Sequence, residues 1–262
     1  MNSLFCLLSA AGSIKVICLN KNNLQGLQPV QITPVPSLEE LHLYECGLKS
    51  SDIKPLFSLL SEAGSIKKLV LYENDLHEWP PFPNTPVPSL DELQVGRCSL
   101  TNADIEPFFS FLSAVATIKI VGLGNSNLHG LRPVNITPVP SLAQLHLQEC
   151  GLTKNDIEPL FSLLSAAGSI KMVCLWKNNL QGLHPVKITP VPSLGELHLE
   201  ECGLKNSDIK PLFSLLSAAG SIKKVLLRAI NLDGLHDFRI TPALSLDELH
   251  LHDCGLTSND IE

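Results

Sequence analysis

Cysteine and histidine recur together in this sequence at one fixed interval. Cys46, Cys98, Cys150, Cys202 and Cys254 stand 52 residues apart, and four residues before them lie His42, Gln94, His146, His198 and His250. Thiol and imidazole are the side chains of zinc sites and of Cys/His nucleophile pairs. Paired carboxylates recur as well, at Glu39–Glu40, Asp91–Glu92 and Asp247–Glu248. Each set could do chemistry if its members met in one pocket. No C-x-x-C pair is present, which argues against zinc. Whether the columns can converge depends on the elements that carry them.

Those elements repeat. Pro36, Pro88, Pro140 and Pro192 each open P-S-L, again 52 residues apart, and Leu244-Ser245-Leu246 continues the register. A drift-free period means an array of supersecondary units. Each period holds two related halves. One reads SLEELHLYECGL from Ser37, with further copies from Ser89, Ser141, Ser193 and Ser245. The other reads SIKVICLNKNNL from Ser13, with copies from Ser65, Thr117, Ser169 and Ser221. Both fit L-x-x-L-x-L-x-x-N/C-x-L, the leucine-rich-repeat pattern, and give about ten half-units of alternating 28 and 24 residues.

Inside each motif x-L-x-L predicts a short strand, with Leu41 and Leu43 inward and His42 outward. The Cys or Asn at the ninth position is expected to bond backbone groups of the turn. Ser126 and Ile230 replace that Asn, so their turns should be less well bonded. After the Cys, Ile53, Leu56, Phe57 and Leu60 fall on one helical face, with Ser51 or Asp52 as N-cap and Pro55 in the first turn. After the Asn, Pro185, Pro190 and Pro192 exclude a long helix and predict extended or 3₁₀ backbone. The fold expected is an α/β leucine-rich-repeat solenoid, a curved horseshoe. A parallel β-sheet lines its concave face, and helices and Pro-rich segments lie on the convex face. Residues 1–262 should form one array without end caps, a piece of a longer one.

This placement separates the reactive columns. The five cysteines sit on every second strand, about 9–10 Å apart from strand spacing, whereas a disulfide needs Cα atoms within about 7 Å. Buried free thiols are expected, and with them a reducing compartment. The histidines are equally far apart. His250 and His252, beside Asp253, share one strand face but do not make a metal site, so neither metal nor cofactor is expected. The carboxylates alternate with strands bearing Lys15, Lys67, Lys68, Lys119, Lys171, Lys223 and Lys224, and read as solvated cross-strand pairs. No catalytic residue is proposed, and the chain reads as a non-enzyme. A net charge of −7 excludes phosphate-backbone binding. No apolar run is long enough to span a membrane. The opening MNSLFCLLSAAGSIK matches PLFSLLSAAGSIK at Pro159 and Pro211, so it reads as a repeat helix, with Cys6 in a serine's place, and the chain as cytoplasmic.

The alternating Cys-type and Asn-type units, with a helix after the Cys type as in Glu45 to Leu76, resemble the ribonuclease-inhibitor-like subfamily of leucine-rich-repeat proteins. The same subfamily supplies the ligand-sensing end of NOD-like receptors. The resemblance implies a protein–protein interaction module that binds a protein on its concave sheet, as the sensor part of such a receptor. Its alternatives are an inhibitor of a basic enzyme, which would want a strongly acidic face, and a GTPase-activating type of leucine-rich protein. The outward positions vary most between units, and an exposed aromatic there is a typical anchor. Trp79 aligns with core leucines, whereas Trp176 does not. The candidate partner-binding residues are Tyr44, Tyr72, Gln94, Arg97, His146, Gln148, Trp176, Lys177, His198, Glu200, Arg228, His250 and His252.

Overall fold

The computed structural model describes residues 12–28, 34–63, 65–81, 89–232 and 246–260. The opening stretch to residue 11, and with it Cys6, lies outside them. The chain divides into two units, residues 1–126 with 137–142, and residues 127–136 with 143–262.

In the first unit five three-residue strands pair in parallel and in chain order: β1 (Val16–Cys18), β2 (Glu40–His42), β3 (Lys68–Val70), β4 (Glu92–Gln94) and β5 (Ile120–Gly122). Helix α1 (Ser50–Ala63) follows β2. A 3₁₀ turn at Asn102–Asp104 leads into α2 (Ile105–Val115) after β4. The second unit repeats the scheme with β6 (Gln144–His146), β7 (Met172–Cys174), β8 (Glu196–His198), β9 (Lys224–Arg228) and β10 (Glu248–His252), again parallel in chain order. Its helices are α3 (Ile157–Ala167), opened by a 3₁₀ turn at Lys154–Asp156, and α4 (Asn206–Ala219).

The alternation read from the sequence holds. Leu41 and Leu43 are buried and His42 between them is half-exposed. The expected helical face, Ile53, Leu56, Phe57 and Leu60, is also buried. The Pro-rich halves at 181–192 are extended and turned, without helix. The 3₁₀ backbone expected there occurs instead at the helix starts. That is where one aspartate per 52 residues tightens the first turn.

Those aspartates correct the expected capping. Asp52 does not cap α1 from outside; it lies in the first turn. Its Oδ2 accepts from the Lys49 N–H at 2.8 Å, and its Oδ1 accepts from the Gly26 and Leu27 N–H groups, both at 2.8 Å. Asp104 likewise accepts from Thr101 and Trp79, and Asp156 from Thr153 and Leu131. Asp208 accepts from Lys205. All four are buried. A charge taken from water must be hydrogen-bonded, and here it staples a helix start to the loop of the preceding half-unit. The anion also sits at a helix N-terminus, where the macrodipole favours it.

A second staple alternates with the first. Asn74 Oδ1 accepts from the Cys46 and Leu48 N–H groups, both at 3.0 Å, while its Nδ2 donates to the Leu43 and Leu71 carbonyls at 2.8 Å. Asn178 repeats all four bonds two unit pairs later. The thiols complete the ladder: Cys46, Cys98 and Cys202 donate to the carbonyls of Leu19, Leu71 and Leu175 at 3.0–3.2 Å. All five motif cysteines are buried free thiols, and burial pushes the Cys98 and Cys202 thiols up to about 12. Cys18 is exposed and Cys174 half-buried.

The weak turns fall where the sequence puts them. Ser126 is buried and its hydroxyl has no partner, and buried Ile230 carries no acceptor. Ser126→Asn would present the same amide to Cys98, Leu100, Val95 and Leu123 that Asn74 presents to its own turn. It is expected to stabilise the chain by about 1 kcal/mol, read as a higher urea midpoint at unchanged slope.

Trp79 lies in the core as expected, 3% exposed, edge-on to Phe108 with centroids 4.8 Å apart and 5.4 Å from Phe111. Phe57 packs at 4.8 Å from Phe111. Trp79, Phe108 and Phe111 occupy places that leucines hold in the other units, whereas Phe57 recurs as Phe109, Phe161 and Phe213.

Candidate functional site

The outward surface of the strands is built by three motif positions: the fifth, on the strand, and the seventh and eighth, in the turn after it. The eighth residue has positive φ in all ten half-units, from Lys21 at 61° through Arg97 at 52° to Asp253 at 54°, and is never glycine. Left-handed backbone costs a non-glycine residue about 1–2 kcal/mol. What holds it is a bond from its own N–H to the seventh carbonyl of the next strand: Glu45 to Tyr72 at 2.9 Å, Glu73 to Gly96 at 3.1 Å, Lys177 to Glu200 at 3.0 Å. The turn leaves the eighth side chain on the surface; none of the ten is buried. The run of mostly charged eighth residues is visible in the sequence, but its left-handed backbone is not, because glycine is absent.

In the first unit this geometry joins three turns. Tyr44 Oη donates to Glu73 Oε2 at 2.9 Å, and Arg97 Nη1 donates to Glu73 Oε1 at 2.8 Å. The Tyr44 hydroxyl, with Arg97 beside it, holds the Glu73 carboxyl below its ordinary range, and the same bond pushes the Tyr44 phenol up. Glu73 is the residue that the sequence reading missed; it links two that were chosen. The Tyr72 ring covers Gly96, and the Gln94 carboxamide covers Gly122, so a Cβ at either glycine would displace that side chain. Gln94 donates to Glu92 at 3.0 Å.

In the second unit Trp176 is half-buried rather than fully exposed. Lys177 places its ammonium 4.4 Å from the ring centroid and 3.8 Å from Glu149, a cation–π contact that fixes the ring. The seventh residues of the flanking strands are Gln148 and Glu200. Gln148 Oε1 and Glu200 Oε2 are buried and have no hydrogen-bond partner. Native proteins leave few such acceptors. Farther along, Glu196 accepts from His198 at 2.8 Å and lies 3.2 Å from Lys224. Glu248 lies 3.1 Å from His250 and 3.7 Å from Lys224. Burial pushes the Glu196 carboxyl up, but His198 and Lys224 outweigh it and hold it below its ordinary range; His250 and Lys224 do the same to Glu248. His250 and His252 stack at 5.9 Å. His146 is half-buried on β6, and Arg228 is exposed at the end of β9.

The thirteen candidates thus do not form one cluster. Tyr44 and Arg97 meet through Glu73, Trp176 and Lys177 meet directly, and His250 and His252 meet directly. His198 and His250 are tied through Glu196, Lys224 and Glu248. The alternating charges pair as expected: Lys15–Glu39 at 2.8 Å, Lys68–Glu92 at 3.0 Å and Lys119–Asp91 at 3.1 Å. Such exposed pairs contribute little to stability, but they neutralise the acids they cover. Among the described residues no three His, Cys, Asp or Glu side chains are placed to hold a metal, and no helix is long and apolar enough to cross a membrane.

No protein-family model matches the chain. It is similar to the ribonuclease inhibitor of Sus scrofa, at 27% identity over 96% of this chain and 60% of that protein. Against the ribonuclease inhibitor of Mus musculus the identity is 28% over 94% of this chain and 56% of that protein. It also resembles NACHT, LRR and PYD domains-containing protein 13 of Homo sapiens, at 30% identity over 63% of this chain and 17% of that protein. The chain therefore spans a little over half the length of the ribonuclease inhibitors it matches. Ten copies of one strand-and-turn motif and the Cys and Asn staples give the chain a leucine-rich-repeat fold, and in sequence it is similar to the ribonuclease inhibitors.

Proposed function

We propose that the chain is a protein-binding module that takes its partner on the outward face of the strands, as the sensor segment of a NOD-like-receptor-type protein in the cytoplasm, without enzymatic activity. One observation carries this reading: the half-buried Trp176 ring, fixed by Lys177, stands between the unpartnered acceptors Gln148 Oε1 and Glu200 Oε2. An aromatic anchor beside two dry acceptors suits a partner side chain that brings donors, and the acceptors supply direction. In the same unit His146, His198, Arg228, His250 and His252 extend this surface, and Tyr44, Tyr72, Gln94 and Arg97 take the corresponding motif positions in the first unit.

The similarity to ribonuclease inhibitors over nearly the whole chain favours a second reading, an inhibitor of a basic enzyme. The lysine–carboxylate pairs weigh against it, because they quench the acidic field that a basic partner would follow.

Capture from a cytosolic extract tests the first reading. Replacing Tyr72, Trp176 and His198 together by alanine is expected to reduce recovery of the specific partner at least tenfold while circular dichroism stays unchanged. Equal recovery by the folded triple variant would overturn it. A ribonuclease activity assay with the chain added tests the second, for which loss of activity is the expected sign.

A further inference from the structure

The cross-strand ion pairs stop around β7. At the second motif position every Asn-type half carries a lysine. Four of these are backbone-bonded to an acid of a neighbouring strand, Glu39, Asp91 or Asp247. Lys171 is not: its neighbours are Ala143, whose carbonyl takes the Lys171 N–H at 2.8 Å, and Gly195, whose N–H bonds the Lys171 carbonyl at 2.9 Å. The backbone does not require that glycine. Gly195 lies outside the left-handed region, and a Cβ there would meet only the Lys171 carbonyl oxygen, at 3.8 Å. There is room for an acid, and none is present. One position on, Lys68 and Lys224 lie 3.0 and 3.2 Å from Glu92 and Glu196. On β7 that place belongs to Met172, in register with Gln144.

The strand that loses its ion pairs is the one that carries Trp176. Its outward residues Met172, Cys174 and Trp176 are all half-buried. They make a stripe of soft, polarizable side chains, about 13 Å long at strand rise. Exposed Lys171 stands at one end. We propose that this stripe takes an extended acidic segment of a partner protein. Apolar side chains at alternate positions lie on Met172, Cys174 and Trp176, and an aspartate or glutamate beyond them reaches Lys171. The proposal rests on the outward face being the binding surface and names the partner's chemistry there. An extended chain repeats every two residues, as the strand beneath it does. The carboxylate belongs at the Lys171 end, because the Trp176 end carries Glu200 and its Lys177 already faces Glu149 at 3.8 Å. Glu196, beside Met172, is neutralised by His198 and Lys224. Such a partner is the opposite of a basic enzyme.

Selection of a random peptide library, displayed on phage, against the full chain tests this. Peptides that lose binding to Trp176→Ala are expected to share apolar residues at alternate positions with an Asp or Glu at one end. For the strongest of them Lys171→Ala should weaken binding about fivefold, as loss of an exposed ion pair does, and the difference should shrink as salt rises. Gly195→Asp should act alike. It installs the acid that other repeats carry, so the fold is kept and Lys171 is neutralised in place. Lys171→Glu should reverse the choice and select Lys or Arg where the acid stood. Trp176-dependent peptides with no acidic preference, or with affinities that neither Lys171→Ala nor Gly195→Asp changes, would overturn the proposal and leave the binding face standing. Recovery of no peptide that depends on Trp176 would overturn both.

Discussion

Asn178→Ala is expected to be among the most damaging single truncations in the chain, at about 4 kcal/mol. Asn178 is 3% exposed and its amide makes four backbone bonds: it accepts from Cys150 at 3.1 Å and Leu152 at 2.9 Å, and donates to Leu147 at 2.8 Å and Leu175 at 2.7 Å. Alanine removes all four and leaves the Cys150 and Leu152 N–H groups and the Leu147 carbonyl without that partner in a dry turn, while the Leu175 carbonyl keeps the Asn178 N–H and the Cys202 thiol. Each buried group left unmet costs about 1–3 kcal/mol. Partial hydration of the space brings the sum to the value given, at the upper end of ordinary single substitutions. Asn178→Asp separates shape from bonding. It keeps the acceptor but turns an oxygen toward two carbonyls, so it is expected to be no better than alanine despite its matching volume. Urea unfolding of the three proteins measures the order.

Asp156→Ala is expected to cost about 3 kcal/mol. The carboxylate is 1% exposed and accepts from the Leu131 N–H at 2.7 Å, from the Thr153 N–H at 2.8 Å and from the Thr153 hydroxyl at 2.8 Å. Hydrogen bonds to a charged acceptor contribute about 1.5–3 kcal/mol each. The side chain also serves the start of α3. Asp156→Asn keeps one oxygen and the shape and should recover about half the loss. Hydrogen exchange distinguishes this staple from general loosening: the Leu131 and Thr153 amides should lose protection first, well before the amides of β7.

The strands were legible because their signal is local. Leucines at motif positions four and six impose a period of two, and the 52-residue repeat fixes the phase. The buried cysteines were legible by the same count. The aspartate staples were not, although Asp52, Asp104, Asp156 and Asp208 recur at that interval. Their more distant partners lie 25 residues earlier, as Trp79 does for Asp104 and Leu131 for Asp156. Those loops repeat L-x-G-L at the same period, save at Trp79, but that pattern marks a core leucine rather than an N–H in need of an acceptor, and an aspartate beside a helix start reads first as a cap. The signal was the period itself, since a charge in phase with core leucines has been given a partner. On the outward face, sequence alone selected Tyr44 and Arg97 but not Glu73, which joins them. It placed Trp176 on the surface but not Lys177 above its ring. Such contacts run between neighbouring residues of the turns, and they follow from the left-handed eighth residue, which no glycine announces.

The two tryptophans give the molecule separate optical reporters. Trp79 is packed among Phe57, Phe108 and Phe111 in the first unit, so its fluorescence should be blue-shifted and shielded from iodide. Trp176 lies half-exposed beneath the Lys177 ammonium in the second. Its emission should be redder and open to quenching. A single spectrum therefore carries two signals: loss of the blue component reports melting of the first unit, and a shift of the red component with the blue unchanged reports an event at the outward face of the second.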